Sequence, residues 1–144
     1  MKKLIATLAI GVATVVGFTA TAGATESKRE KWSDYATEAE GHLATISSDA
    51  TAVSEAADSG SVSGVEAACE TFGDDVDTAT PVLTHSPSKR LNRLMRLALT
   101  SYSTGADECA SGDYVSAASS MEVGTSFVED ASDHIDEVKA DLGV

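Results

Sequence analysis

The sequence predicts an all-α protein, an antiparallel up-down-up-down four-helix bundle closed by one disulfide. Three observations carry that expectation. Apolar residues recur in steps of three and four along four segments, turn-forming clusters separate those segments, and each of the two cysteines falls on an apolar stripe.

The first segment predicts an export signal. Met1-Lys2-Lys3 is a short positive stretch, and Leu4 to Phe18 is apolar apart from threonines and small residues. Ala22-Gly23-Ala24 then supplies small residues at the −3 and −1 positions of a signal-peptidase site. An apolar run of about 15 residues falls short of the ~20 a spanning helix needs. No cysteine stands at the cleavage point to carry a lipid. The expected organisation is a signal peptide over 1–24 and one helical domain over 25–144. The protein is expected to be secreted, with no membrane attachment after cleavage behind Ala24.

In the first helix the apolar stripe runs Trp32, Ala36, Ala39, Leu43, Ile46, Ala50, Val53 and Ala57, and Ser27-Lys28-Arg29-Glu30 reads as a capping box. The run from Asp58 to Gly64 is a turn by composition. Ser63-Gly64-Val65-Glu66 reads as a second capping box, opening a helix with Val65, Ala68, Cys69, Phe72, Val76 and Ala79 inward. Thr80-Pro81 predicts its end, because the residue before proline avoids helical dihedrals. Ser86-Pro87 predicts the third start, with Ser86 as N-cap and Pro87 in the first turn. Its stripe is Leu91, Leu94, Met95, Ala98, Tyr102, Gly105 and Cys109. Ser111-Gly112-Asp113 ends that helix and caps the last, whose stripe is Ala117, Met121, Gly124, Val128, Ala131, Ile135, Val138 and Leu142.

An exported chain with two stripe cysteines predicts a Cys69–Cys109 disulfide, against the alternative of two free buried thiols. The closed loop of about 40 residues would contribute roughly 3–4 kcal/mol, useful to an Ala-rich core that buries little area per contact. A tight hairpin would leave the two cysteines about 16 Å out of level, since helices rise ~1.5 Å per residue. The segment 81–86 is therefore expected to run onward along the axis before the third helix turns back.

Charge excludes several functions. The chain holds 10 Lys+Arg and 23 Asp+Glu, a net −13. Removal of 1–24 takes away Lys2 and Lys3, giving 8 − 23 = −15. A surface so negative repels nucleic acid and anionic membranes. There is no Gln and a single Asn, Asn92.

Catalytic and metal motifs are absent at the level of spacing. Gly60-Ser61-Val62-Ser63-Gly64 puts Val62 where a nucleophile elbow needs serine, and no strand precedes it. His42 and His134 flank their stripes and could approach each other, with Glu38 and Asp130 near, but no His-x-x-x-His or Glu-x-x-His pair supplies two ligands from one face. His85 lies in a connection. Asp74-Asp75-Val76-Asp77 lacks the alternating pattern of a calcium loop and reads as a solvated face.

The local anomaly is basic: Lys89, Arg90, Arg93 and Arg96 hold half the positive charge that remains after residue 24. Lys89, Arg93 and Arg96 fall opposite the apolar stripe. Such a patch either offsets acidic neighbouring helices, at about 0–1 kcal/mol per exposed pair, or docks an anionic partner. Without aromatic residues among the arginines it makes a poor nucleic-acid platform.

Cys69-Glu70-Thr71-Phe72-Gly73-Asp74-Asp75-Val76, Thr80-Pro81, His85-Ser86-Pro87-Ser88, Leu97-Ala98-Leu99-Thr100-Ser101-Tyr102 and Ala106-Asp107-Glu108-Cys109-Ala110-Ser111-Gly112 together resemble small exported proteins and lipoproteins of actinobacteria. The resemblance covers residues 65–142 and implies helical bundles with one disulfide, here Cys69–Cys109, with no activity to carry over. This chain departs from many such proteins in lacking a lipobox cysteine, and in having Leu94-Met95-Arg96 where a Trp often precedes the Ala-Leu pair.

The function expected is a binding role in the extracellular or cell-wall space, without catalysis or cofactor. Its partner would be a protein or cell-wall polymer and its state monomeric or weakly dimeric. The alternative is a carrier of haem, a metal ion or a small apolar ligand, with His42 and His134 as contacts. An enzyme of unrecognised type is a third, minor reading.

Overall fold

The computed structural model describes residues 26–143. The signal segment and cleavage site expected over 1–24 lie outside the described residues. Those described form four helices and no strand: α1 (Glu26–Asp58), α2 (Val62–Leu83), α3 (Lys89–Ala110) and α4 (Tyr114–Leu142). The all-α class and the disulfide stand as the sequence predicts, with Cys69 and Cys109 bonded at a Cα separation of 5.9 Å. Consecutive helices pack side by side. Their contacts run antiparallel: Tyr35 near the start of α1 reaches Leu83 at the end of α2, Gly73 and Asp77 meet Ala106 and Ser103, and Gly105 and Gly124 meet Met121 and Tyr102. The start of α1 meets the end of α4 where Arg29 Nε donates to the Leu142 carbonyl at 3.0 Å.

The apolar stripes become the core. Trp32, Ile46 and Val53 from α1 join Phe72 and Val76 from α2, Leu91, Leu99 and Tyr102 from α3, and Met121 and Ile135 from α4. Phe72 packs edge-on to Tyr102 and Trp32 edge-on to Tyr35, geometries favoured by the ring quadrupole. Leu43, Ala68, Leu94, Val128 and Val138, expected inside, are only partly buried at its margin.

Helix ends differ from expectation in four places, each for a local reason. Ser27 lies inside α1 rather than capping it. The α2 cap is Ser61, two residues before Ser63, because its side chain takes the Gly64 N–H at 3.1 Å. Pro81 does not stop α2. It removes one donor near the C-terminus on an exposed face, while fully buried Leu83 and the Tyr35 hydroxyl on its carbonyl, at 3.1 Å, draw the helix through another turn. Helix α3 is capped by Ser88 rather than Ser86. Ser86 is instead buried and clamped from both sides by Asn92, whose Oδ1 accepts the Ser86 N–H at 2.6 Å while its Nδ2 donates to the Ser86 carbonyl at 3.0 Å. Asp113 caps α4 as predicted, and Gly112 supplies the positive φ (84°) of the preceding turn.

The axial run-on that the disulfide requires is thus made partly as helix. From Cys69 to Leu83 α2 rises about 21 Å and from Lys89 to Cys109 α3 rises about 30 Å, so residues 84–88 span the remaining ~9 Å.

Candidate functional site: a basic groove and a serine–histidine–glutamate chain

Helix α3 places its basic residues by simple periodicity. With Leu91, Met95, Ala98 and Tyr102 held in the core, Lys89, Arg93 and Arg96 stand on the solvent side, all exposed. They line a shallow groove of about 350 Å³ with Asn92 and the exposed Leu97. Among the described residues none of these three cations takes a hydrogen bond or ion pair. Arg90 is different: its Nη1 sits 2.9 Å from Glu137 Oε2 on α4, an exposed ion pair. The structure therefore divides the sequence-predicted patch into one structural cation and three that face solvent.

Glu137 also anchors a second arrangement, which sequence spacing did not reveal. His134 Nδ1 lies 3.1 Å from Glu137 Oε2 one turn along α4, and His134 Nε2 lies 2.7 Å from Ser88 Oγ, the cap of α3. The His134 side chain is 13% exposed and Glu137 59% exposed. Hydrogen bonding from His134, then the Arg90 charge, holds the Glu137 carboxyl below its ordinary range. Ser88 Oγ in turn accepts the Leu91 N–H at 3.3 Å. Ser88 and His134 are 46 residues apart, so only folding joins them.

The remaining candidates are not assembled into sites. The antiparallel register separates His42 from His134 by on the order of 10 Å along the axis, and His134 is already engaged by Ser88 and Glu137. Glu38 and Asp130 are both exposed. His85 Nδ1 bonds the Pro81 carbonyl of its own turn. Among the described residues no group of three or more His, Cys, Asp or Glu is placed to hold a metal ion. Asp74 and Asp77 line a groove of about 230 Å³ over the disulfide with Glu70 and Asp107, while Asp75 turns towards Asp49 of α1. No helix among the described residues is long and apolar enough to cross a membrane.

No protein-family model matches the chain, and no curated protein or solved structure matches it either.

Proposed function

We propose that the protein is an exported binding protein, of the actinobacterial kind its sequence resembles, that docks an anionic cell-wall polymer on the groove of α3. The carrying observation is that Lys89, Arg93 and Arg96 stand exposed and unpaired around one groove on an otherwise acidic molecule. Their rises along the helix are about 6 Å and 4.5 Å, within reach of successive charges on an extended polyanion. Two of the three are arginines, whose planar donors grip phosphate oxygens in pairs. Leu97 adds apolar surface at one end. Catalysis and a bound cofactor form no part of this docking role.

Titration with inorganic polyphosphate, and separately with poly-glutamate, tests the reading. Binding is expected to polyphosphate at low salt, weakening as salt rises with a log–log slope of about −2 for three contacts to a single-stranded polyanion. Arg93→Ser with Arg96→Ser should abolish it and leave Tm nearly unaltered, because neither side chain holds an intramolecular partner. Binding to poly-glutamate alone would move the partner class to acidic proteins. Absence of binding to either, or a double variant that binds equally well, would remove the docking role.

A further inference from the structure

We propose that Ser88 is an activated nucleophile, with His134 as its general base, and that the protein hydrolyses carboxylic esters of small acyl groups at this point. The inference goes beyond the docking groove and uses different residues. Its basis is a connected chain: Ser88 Oγ to His134 Nε2 at 2.7 Å, and His134 Nδ1 to Glu137 Oε2 at 3.1 Å. A nucleophile in hydrogen-bond reach of a base, with that base oriented by a third group, is the geometry that nucleophilic catalysis requires. A helix cap needs only to accept, and Ser88 does so from Leu91 N–H. Its own proton is left to donate, and the acceptor it meets is an imidazole nitrogen. Glu137 accepts from Nδ1–H and so leaves the Nε2 lone pair facing Ser88, which makes it a positioning residue rather than a catalytic one.

The rest of the environment acts in the same direction. Ser88 sits where the positive end of the α3 dipole favours developing negative charge on Oγ. The first-turn amides of α3, from Lys89 and Arg90, have no partner within the helix and are the donors available to an oxyanion formed beside Ser88. Ser88 is half-buried, and its backbone N–H donates to the Oγ of buried Ser86 at 3.1 Å; a small acyl group is proposed because partial burial leaves little of Ser88 open to a bulky one.

The chemistry balances with water as the only co-reactant. Ser88 Oγ adds to the ester carbonyl carbon while its proton passes to His134 Nε2. The carbon–oxygen bond to the alcohol then breaks, and the leaving alkoxide departs with that proton, leaving an acyl-serine. Water gives a proton to the same Nε2 and adds to the acyl carbon; the acid leaves and the proton returns to Ser88 Oγ.

Labelling with a fluorophosphonate ester tests the nucleophile directly, since the Oγ–phosphorus bond forms as fluoride leaves. One adduct per molecule is expected, mapped by mass to Ser88. Ser88→Asp keeps the cap acceptor and the fold, checked by helicity, and should take no adduct. His134→Ala should slow labelling by about 10²-fold, the usual worth of a general base, with added imidazole restoring part of the rate. Glu137→Gln should slow labelling and move the downfield Nδ1 proton resonance of His134. With p-nitrophenyl acetate, repeated turnover lost in Ser88→Asp is expected. An adduct on another residue, no adduct, or labelling of Ser88 unchanged in His134→Ala would overturn the proposal and leave Ser88 a cap alone. A single stoichiometric burst would overturn the hydrolytic half.

Discussion

Asp49 is a carboxylate that folding treats badly. Its Oδ2 is buried in the seam between α1 and α2 without a hydrogen-bond partner, and the group facing it is another acid, Asp75. Burial pushes its carboxyl above the ordinary range, and the shared contact and charge of Asp75 push the same way. Between its unfolded value and the raised folded one, the folded chain therefore holds more proton at Asp49 than the unfolded chain does. Through this group stability is greatest below the unfolded carboxylate value and falls as pH rises through the raised one. Asp49→Asn removes the repulsion and gives Asp75 an amide donor, at about 1 kcal/mol for a new hydrogen bond. Thermal unfolding should show Tm raised at pH 7 and nearly unchanged at pH 3; a lowered Tm at pH 7 would contradict it. Nothing in the spacing of Asp49 marks it out, because the pairing exists only once α1 lies against α2. The same is true of Ser88 and His134.

At the scale of elements, α3 and α4 approach closely because glycine allows it. A Cβ on Gly124 would lie 2.7 Å from the Tyr102 ring and 3.2 Å from the Ala98 carbonyl. One on Gly105 would lie 2.8 Å from Met121 Cγ and 3.2 Å from the Ala117 carbonyl. Gly124→Ala should destabilise by about 1–3 kcal/mol, overpacking outweighing the better helix propensity of alanine. Gly41, mid-helix in α1 with nothing within 4 Å of its Cβ position, is the control. Gly41→Ala should stabilise by about 0.5–1 kcal/mol, and opposite shifts in Tm check the pair. The apolar rhythm marked Gly105 and Gly124 as inward positions, as it marked most of the core, since burial sets the period of each stripe. Ends were less legible. Serines two residues apart offer equally good caps at 61 and 63 and again at 86 and 88, and sequence cannot rank them. Tertiary contacts do: Asn92 recruits Ser86 to the loop and leaves Ser88 to cap, and the anchoring of Leu83 overrides Pro81.

Across the whole molecule, charge is distributed by pole. No Lys or Arg occurs between Lys31 and Lys89 or between Arg96 and Lys139. The antiparallel packing brings the start of α1, the start of α3 and the end of α4 to one end, joined there by Arg29 on Leu142 and Arg90 on Glu137. Every Lys and Arg of the described residues therefore sits towards that end. The opposite half, with the connections 59–61 and 111–113, carries carboxylates and no such cation. The groove of α3 thus lies on the pole where a polyanion meets least repulsion, while the acidic pole points away from it. Such an arrangement leaves like-charge repulsion in the acidic half unrelieved by ion pairs, and folding concentrates it. Salt acts on that repulsion: the Debye length falls from about 30 Å at 0.01 M to about 3 Å at 1 M. Tm should accordingly rise as NaCl is increased over that range, whereas the polyanion binding proposed for the groove should weaken with the same salt. Asp74→Asn with Asp107→Asn, which neutralises two carboxylates of the α2–α3 groove, should raise Tm at 0.01 M and flatten the salt dependence. A Tm that falls with added salt would mean that exposed pairs such as Arg90–Glu137 outweigh the repulsion, and the polar division of charge would then have no energetic consequence for the fold.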